Sequence, residues 1–151
     1  MRSKGQPLTL KQRAVALLAR REHSRAELAR KLSVHGTQEE IDSVLNSLQD
    51  AKLLSDQRFA AMFVRSRAER FGLGRLRQEL RLRGVEAELA EQELAAEHLP
   101  GELERARGVW EKKFGTLPAD AREWARQARF LQGRGFGSEV IRQLLKQMDE
   151  S

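Results

Sequence analysis

The apolar residues of this 151-residue chain recur every three or four positions along its length. This spacing places them on one face of an α-helix, whereas a half-buried strand would alternate apolar and polar residues. No stretch alternates for long enough to form a strand. Examples of the helical pattern are Leu10, Ala14, Leu17 and Leu18; Ile41, Val44, Leu45 and Leu48; and Ala121, Trp124, Ala125 and Ala128. The pattern predicts an all-α fold.

Two pairs of polar residues indicate where helices begin. Ser24 is followed three residues later by Glu27, and Thr37 is followed by Glu40 in the same way. In a capping box of this kind, the hydroxyl and the carboxylate accept hydrogen bonds from the free N–H groups at a helix N-terminus. We therefore expect helices to start at both places.

Glycines and prolines indicate further boundaries. Gly36 and Gly84 are expected to end the helices that precede them, and Pro100 and Pro118 to lie in the first turns of two later helices. Together the patterns predict nine helices, near residues 9–21, 24–34, 38–50, 55–70, 74–83, 86–97, 100–114, 119–132 and 137–149.

The helices repeat in groups of three. The pattern FGxxxLRQxL at 71–80 returns as FGxxxIRQxL at 136–145, and a weaker form lies at 23–32. An offset of 48 residues relates the first copy to the second, and an offset of 65 relates the second to the third. The third unit would then hold about seventeen extra residues, which we assign to longer helices around Trp110 and Trp124.

The repeat predicts three tandem three-helix units, at 1–54, 55–99 and 100–151. Units without a distant partner stack on their sequence neighbours. We expect an elongated body that is free to curve.

Composition excludes several classes of protein. With 40% apolar and 33% charged residues, the chain has the balance of a folded domain, and it contains no cysteine for disulfides or thiolate metal sites. No run approaches the roughly 18 apolar residues of a membrane span, and the first ten residues lack the apolar core of a secretory signal. We expect a cytoplasmic protein without membrane contact.

Charge is distributed in blocks of alternating sign. The net charge of +6 comprises +4 over residues 1–64, +5 over 65–83, −7 over 84–104 and +4 over 105–151. A protein that bound only phosphates would have little use for the acidic block. One surface could therefore face nucleic acid and another a protein.

The segment 65–83 contains seven arginines, no lysine and a Gly72-Leu73-Gly74 turn. Arginine makes bidentate contacts with phosphates and carboxylates, so we predict an anion-binding surface around the turn. Its candidate residues are Arg65, Arg67, Arg70, Arg75, Arg77 and Arg81. The alternative is a solvated helix face, in which Arg65, Arg67 or Arg70 pairs with Glu86, Glu88 and Glu91.

The sequence contains little that indicates a catalytic, cofactor or metal site. The turn resembles the start of a dinucleotide fingerprint, but Arg77 replaces the third glycine and no strand precedes it. His23, His35 and His98 lack metal-site spacing. The glutamates from Glu86 to Glu97 are typical of a solvated face or of a surface for a basic partner, and we assign Phe59, Phe63, Trp110 and Trp124 to the core. We therefore expect that the protein is not an enzyme and that it binds neither a cofactor nor a metal.

The chain resembles the RecX family of bacterial recombination regulators. The resemblance lies in LLARREHS (17–24), EL (27–28), LLSD (53–56), RFA (58–60), FVRSR (63–67), GxGR (72–75), LxxxGV (80–85) and GFGSEVI (135–141). It implies three tandem three-helix units that bind the RecA recombinase along the groove of its DNA filament. It also implies restraint of filament growth, ATP hydrolysis and strand exchange, without enzymatic activity.

The resemblance therefore implies that the partner is the RecA filament. We also expect weak contact with single- or double-stranded DNA. The regulator itself is expected to be a monomer. The alternative is a stand-alone helical DNA-binding protein, since three-helix units resemble helix-turn-helix modules. Steep loss of duplex binding with salt would identify it. A helical adaptor for an unrelated protein is a third interpretation.

Overall fold

A computed structural model describes residues 6–96 and 99–149, and side chains up to residue 146. Predictions that involve Glu97 and His98 lie outside the described residues. Within these ranges the chain forms helices and no strand. The helices are α1 Leu10–Arg20, α2 Arg25–Leu32, α3 Gln38–Asp50, α4 Asp56–Arg67, α5 Leu73–Leu82, α6 Ala87–Leu94, α7 Glu102–Lys113, α8 Ala121–Gly133 and α9 Ser138–Asp149.

The helices pack in consecutive threes, which confirms the predicted all-α repeated fold. We call α1–α3 unit one, α4–α6 unit two and α7–α9 unit three. Each unit has its own apolar core, centred on Leu28 and Leu45 in unit one, on Phe59 and Leu80 in unit two, and on Leu131 in unit three. The elongated shape and the unit boundaries at 1–54, 55–99 and 100–151 stay predictions.

The predicted capping boxes are confirmed. Ser24 Oγ accepts a hydrogen bond from the Glu27 N–H at 3.0 Å, and Glu27 Oε1 accepts one from the Ser24 N–H at 3.1 Å. Thr37 and Glu40 make the same reciprocal pair at the start of α3. Helices α2 and α3 therefore begin where the hydroxyl and carboxylate spacing satisfies their free N–H groups.

The prolines lie earlier than predicted. Pro100 and Pro118 precede the N-cap residues of α7 and α8, which are Gly101 and Asp120. The Asp120 carboxylate accepts a hydrogen bond from the Glu123 N–H at 2.8 Å, and this cap sets the start of α8.

Gly84 ends α5 as predicted, with a positive φ of 81°. The Val85 N–H reaches back to the Leu80 carbonyl at 3.0 Å, which closes a Schellman turn. Gly36 has a different role, because α2 already ends at Leu32 and Gly36 lies in the turn that follows, without a positive φ.

The relation between units two and three differs from the predicted offset of 65. Gly135, with φ 92°, follows α8 as Gly84 follows α5, and the Phe136 N–H bonds the Leu131 carbonyl as Val85 bonds Leu80. Helix α8 therefore corresponds to α5, at an offset of 51. The FGxxx(L/I)RQxL pattern instead reflects a similarity in sequence between α5 and α9, because each is an amphipathic helix that follows a Phe-Gly pair.

The extra length of unit three is also placed differently. Helix α7 has the same 12 residues as α4, so the sequence around Trp110 is not extended. Helices α8 and α9 have 13 and 12 residues, whereas α5 and α6 have 10 and 8.

Units one and two meet at the N-terminus of α2, in contacts that we call the first joint. The Ser24 hydroxyl donates to the Arg83 carbonyl at 2.6 Å, and the Arg25 N–H donates to Asp56 Oδ1 at 2.7 Å. A Cβ on Gly84 would lie 2.3 Å from the Ala26 Cβ, so only glycine allows this approach.

Units two and three meet in the same way at the N-terminus of α5, in the second joint. The Gly72 N–H donates to the Arg134 carbonyl at 2.8 Å, and the Leu73 N–H donates to Glu102 Oε1 at 3.2 Å. A Cβ on Gly135 would lie 2.2 Å from the Arg75 Cβ. In both joints, the first residue of the next unit supplies a carboxylate and its left-handed glycine turn supplies a carbonyl.

Arg105 reinforces the second joint. Its side chain is buried, and its guanidinium donates to the carbonyls of Ala68 at 2.8 Å, Pro100 at 2.9 Å and Phe71 at 3.4 Å. Burial lowers the pKa of Arg105, with an opposing influence from Glu102. Because Ala68 and Phe71 follow α4, this arginine ties the end of α4 to α7.

The aromatic residues follow the core prediction with one exception. Phe59, Phe63 and Trp110 are buried, but Trp124 is 38% exposed. Helix α8 turns Gln127 inward instead, because Gln127 Oε1 accepts the buried Trp110 Nε1–H at 2.7 Å. The assignment of Trp124 to the core was therefore wrong.

His23 is buried beside the first joint. Its Nδ1 lies 3.0 Å from the Arg21 carbonyl, and its Nε2 lies 2.9 Å from Lys31 Nζ. A carbonyl only accepts and an ammonium only donates, so the ring is neutral with its proton on Nδ1. Burial is the main cause that lowers the pKa of His23, and the charges of Arg21 and Lys31 add to it against the Arg21 carbonyl and Glu27.

The glycine requirement of the second joint gives a first prediction. Gly135→Ala should lower the free energy of unfolding by about 2 kcal/mol or more, since it adds left-handed strain and a clash with Arg75. Gly133→Ala is the matched control, because a Cβ there meets nothing within 4 Å. Urea denaturation followed by circular dichroism measures both. Equal stability of the two variants would contradict the joint.

The lowered pKa of His23 gives a second prediction. The unfolded chain takes up a proton near pH 6.5 and the folded chain resists it, so stability should fall as the pH drops below 6.5. The slope is limited to about 1.4 kcal/mol per pH unit for one proton. His23→Gln should flatten the slope between pH 7 and 5.5, as measured by urea denaturation at each pH. A wild-type slope in His23→Gln would contradict this account.

Candidate partner-binding arginine surface

The Gly72-Leu73-Gly74 turn is occupied by the protein itself. The N–H groups of all three residues donate to unit three, namely to the Arg134 carbonyl, Glu102 Oε1 and the Gly135 carbonyl. A helix N-terminus attracts anions when such groups are open to a ligand. Here they hold two units together, so any anion must be bound by the arginine side chains around the turn.

The six predicted arginines are divided among several positions. Arg67, near the end of α4, stacks on the Phe63 ring with its Cζ 4.4 Å from the ring centroid. Arg83, which was not among the six, reaches the same ring from the end of α5 at 4.6 Å. Two guanidinium groups thus share one aromatic ring.

Arg67 lies in an excess of positive charge. Partial burial is the largest cause that lowers the pKa of Arg67. The charges of Arg83, Arg70 and Arg21 lower this pKa further, whereas the charge of Glu79 raises it. The arginines from units one and two therefore repel one another here. A bound anion would relieve this repulsion, and its binding should be favoured for that reason.

A second group surrounds Phe71. The guanidinium carbons of Arg75, Arg70 and Arg134 lie 4.6, 5.8 and 5.7 Å from the ring centroid. Arg75 also donates to Glu79 Oε1 at 3.3 Å and to the Gly133 carbonyl at 3.2 Å. Arg70 and Arg75 are thus brought together at the glycine turn.

Arg77 is paired inside unit two. Its guanidinium donates to both carboxylate oxygens of Glu91 on α6. The hydrogen bond to Glu91 raises the pKa of Arg77, and the same bond lowers the pKa of Glu91. Glu91 does accept an arginine, as the solvated-face alternative proposed, but the donor is Arg77 and not Arg65, Arg67 or Arg70.

The remaining candidates point to solvent. The side chains of Arg65 and Arg81 are exposed, and neither has an ion pair or a hydrogen bond to the described residues. Their charges are available to a partner.

A basic cleft continues this surface into unit three. It has a volume of about 280 Å³ and lies between the end of α4 and helices α7 and α8. Its lining residues are Glu69, Arg70, Val109, Lys112, Lys113, Phe130 and Arg134. Four cations against one carboxylate give the cleft a net positive charge, which suits an acidic ligand.

Sequence reasoning missed several residues of this surface, among them Arg83 and Arg134. A signal was present, because each precedes the left-handed glycine of its unit in an Arg-Gly pair. The contribution of Arg21 could not be found in this way, since it comes from unit one through the fold.

Metal-ligand clusters, unsatisfied buried polar side chains and membrane spans are absent from the part of the chain that the structure describes. It contains no group of three histidine, aspartate or glutamate residues that could hold a metal ion. Every buried side-chain nitrogen or oxygen there has a hydrogen-bond partner. None of its helices is both long enough and apolar enough to span a membrane.

Three family models match the chain in order. They describe the first, second and third three-helix domains of RecX, and they match residues 11–48, 55–94 and 101–145.

Individual relatives agree with these matches. A regulatory protein RecX from Leptothrix cholodnii is 53% identical over 150 residues, which cover 99% of this chain and 95% of the relative. One from Ralstonia nicotianae is 43% identical, over 95% of this chain and 91% of the relative. The crystal structure of RecX from Lactobacillus salivarius superposes with a TM-score of 0.78 at 21% identity, over 94% of this chain and 96% of that one.

The position of Glu79 gives a third prediction. Its carboxylate accepts hydrogen bonds from Arg83 at 2.5 Å and from Arg75 at 3.3 Å, and its pKa is lowered by them, mainly by Arg83. Glu79→Gln removes the negative charge that compensates both guanidinium groups, and it should raise the salt concentration at which heparin, a polyanion, releases the protein. Glu111→Gln removes the same charge from an exposed site on α7 and is the control. Equal shifts in the two variants would show that only net charge matters.

Proposed function

The chain belongs to the RecX family, and we propose that it is a non-enzymatic regulator of the RecA recombinase. In this proposal it binds RecA–DNA filaments along their groove and inhibits ATP hydrolysis, filament growth and strand exchange. The names of the relatives support a regulatory role. The RecA partner and the three inhibited steps are parts of the proposal.

The observation that carries the proposal is the repetition of the joint. The Asp56 carboxylate in the first joint and the Glu102 carboxylate in the second accept the N–H of the first residue of α2 and of α5, the second helices of successive units. In this proposal, the repeated carboxylate and carbonyl contacts set the three units at a regular spacing. Several weak contacts on one rigid body add through effective concentration when the target offers sites at a matching spacing, as a helical filament does.

The arginine surface is proposed to face RecA. Its members are Arg65, Arg67, Arg70, Arg75, Arg77 and Arg81. Arg67 and Arg70 should contribute most, because the charge excess around Arg67 has one nearby carboxylate in Glu79 and Arg70 lines the basic cleft. Arg77 should contribute least, since Glu91 already compensates its charge. An acidic surface of the partner would complement this pattern.

A regulatory function also agrees with the way in which the buried polar groups are hydrogen-bonded. The buried ionisable side chains of the described residues are His23 and Arg105, and both are held by backbone carbonyls and neighbours within the fold. A catalytic acid or base needs access to a substrate as well as a perturbed pKa. Arg105 supports the second joint instead, and His23 is bonded within unit one.

A fourth prediction tests the arginine surface. Arg67→Glu should raise the protein concentration needed for half-inhibition of RecA's DNA-dependent ATPase by roughly tenfold, which equals about 1.4 kcal/mol of binding free energy. Arg30→Glu reverses an exposed charge on α2 and is the matched control, expected to inhibit like the wild type. Circular dichroism checks that both variants keep their helicity.

The same assay separates the alternatives. An unrelated DNA-dependent ATPase on the same single-stranded DNA should remain active. Equal inhibition of both ATPases would favour the stand-alone DNA-binding protein, which acts by covering DNA. Inhibition of RecA by Arg67→Glu at wild-type concentrations would exclude the arginine surface as the contact, while leaving RecA as the partner.

A further inference from the structure

Trp124 is a large aromatic residue that the fold leaves uncovered. The buried Trp110 takes the core position in unit three, and Gln127 completes its hydrogen bonding. Trp124 is 38% exposed and faces a cleft between the start of α8 and the last turns of α9. Trp124 is not part of the buried cluster of unit three, so one face of its indole is open to a ligand.

The cleft around Trp124 has a volume of about 480 Å³, which lies in the range of small-ligand sites. Its apolar wall includes Pro118 and Leu145, and its charged wall consists of Arg142 and Lys146 on α9. These residues, with Trp124, define what we call the tryptophan cleft.

The two cations of the tryptophan cleft are suited to neighbouring phosphates. Arg142 and Lys146 are four residues apart, so they lie on the same face of α9, with Cβ atoms about 5–6 Å apart. Both side chains are exposed. The one carboxylate in the cleft, Asp120, is already engaged as the N-cap of α8. The net charge of the cleft is therefore positive.

We propose that the tryptophan cleft binds single-stranded nucleic acid. One base stacks on the indole of Trp124, and the adjoining phosphates contact Arg142 and Lys146. An aromatic ring stacks only on a base that is not already stacked in a duplex, which favours a single strand over double-stranded DNA. This site lies in unit three, separate from the six arginines of unit two, and it goes beyond the proposed regulation of RecA.

Intrinsic fluorescence tests the proposal directly, because the chain has two tryptophans and one of them is buried. The full chain is titrated with a thymidine oligonucleotide at low salt, without RecA. A base stacked on Trp124 should quench part of the emission. Trp124→Phe should abolish the quenching, since the buried Trp110 remains as the reporter.

Anisotropy of a labelled oligonucleotide then measures affinity independently of the tryptophans. Trp124→Ala should weaken binding roughly tenfold, within the range known for loss of one base–aromatic stack. Leu117→Ala removes an apolar side chain of the same 38% exposure outside the cleft and should bind like the wild type.

The cations are tested by salt dependence. Arg142→Gln with Lys146→Gln should reduce the slope of log affinity against log salt by about 1.4, or 0.7 for each phosphate of a single strand. Arg30→Gln with Arg129→Gln removes the same charge from exposed sites elsewhere and should keep the slope.

Quenching that persists in Trp124→Phe, or wild-type affinity of Trp124→Ala, would overturn the proposal. Tighter binding of a duplex than of the single strand would overturn it too. Because RecA is absent from these measurements, such a result would leave the proposed regulation of RecA untouched.

Discussion

The structure depends on how the N-terminus of each unit's second helix is satisfied. The first N–H groups of α2 and α5 face the next unit. A buried N–H group without a hydrogen-bond acceptor there would lower the stability of the fold. Asp56 and Glu102 each accept one of these N–H groups, and the Arg83 and Arg134 carbonyls accept the neighbouring donor. The macrodipole of the second helix favours a carboxylate at this end. One arrangement of bonds, used twice, therefore fixes the order and orientation of the units.

The glycines and the surface charges follow from this constraint. Gly84 and Gly135 adopt positive φ angles, and a Cβ on either would collide with the preceding unit. The turns that contain them carry Arg83 and Arg134, whose carbonyls bond the joint and whose guanidinium groups stack on Phe63 and on Phe71 and Phe130. The residues that connect the units thus also supply part of the positive surface. Binding at this surface and the geometry of the joints are physically linked.

Units two and three offer surfaces of different chemistry. Partial burial and the charges of Arg83, Arg70 and Arg21 lower the pKa of Arg67, although Glu79 pairs with Arg83. Such a group of arginines suits an acidic protein surface. In unit three, Trp124 presents an aromatic face beside two cations, which suits an unstacked base and its phosphates. A regulator of a recombinase on single-stranded DNA would meet both kinds of target. The second joint connects the two units that carry these surfaces.

The sequence by itself determined the helical class, the three units and the starts of α2 and α3. Apolar spacing and capping boxes such as Ser24 with Glu27 act over a few residues, and their physics is local. The sequence also located the arginine-rich segment at residues 65–83. Only the tertiary structure decided that Gly72 and Gly135 form a joint, that Arg77 pairs with Glu91, and that Gln127 displaces Trp124 from the core. These outcomes depend on groups far apart in the chain, which compete for the same hydrogen bonds and the same buried space.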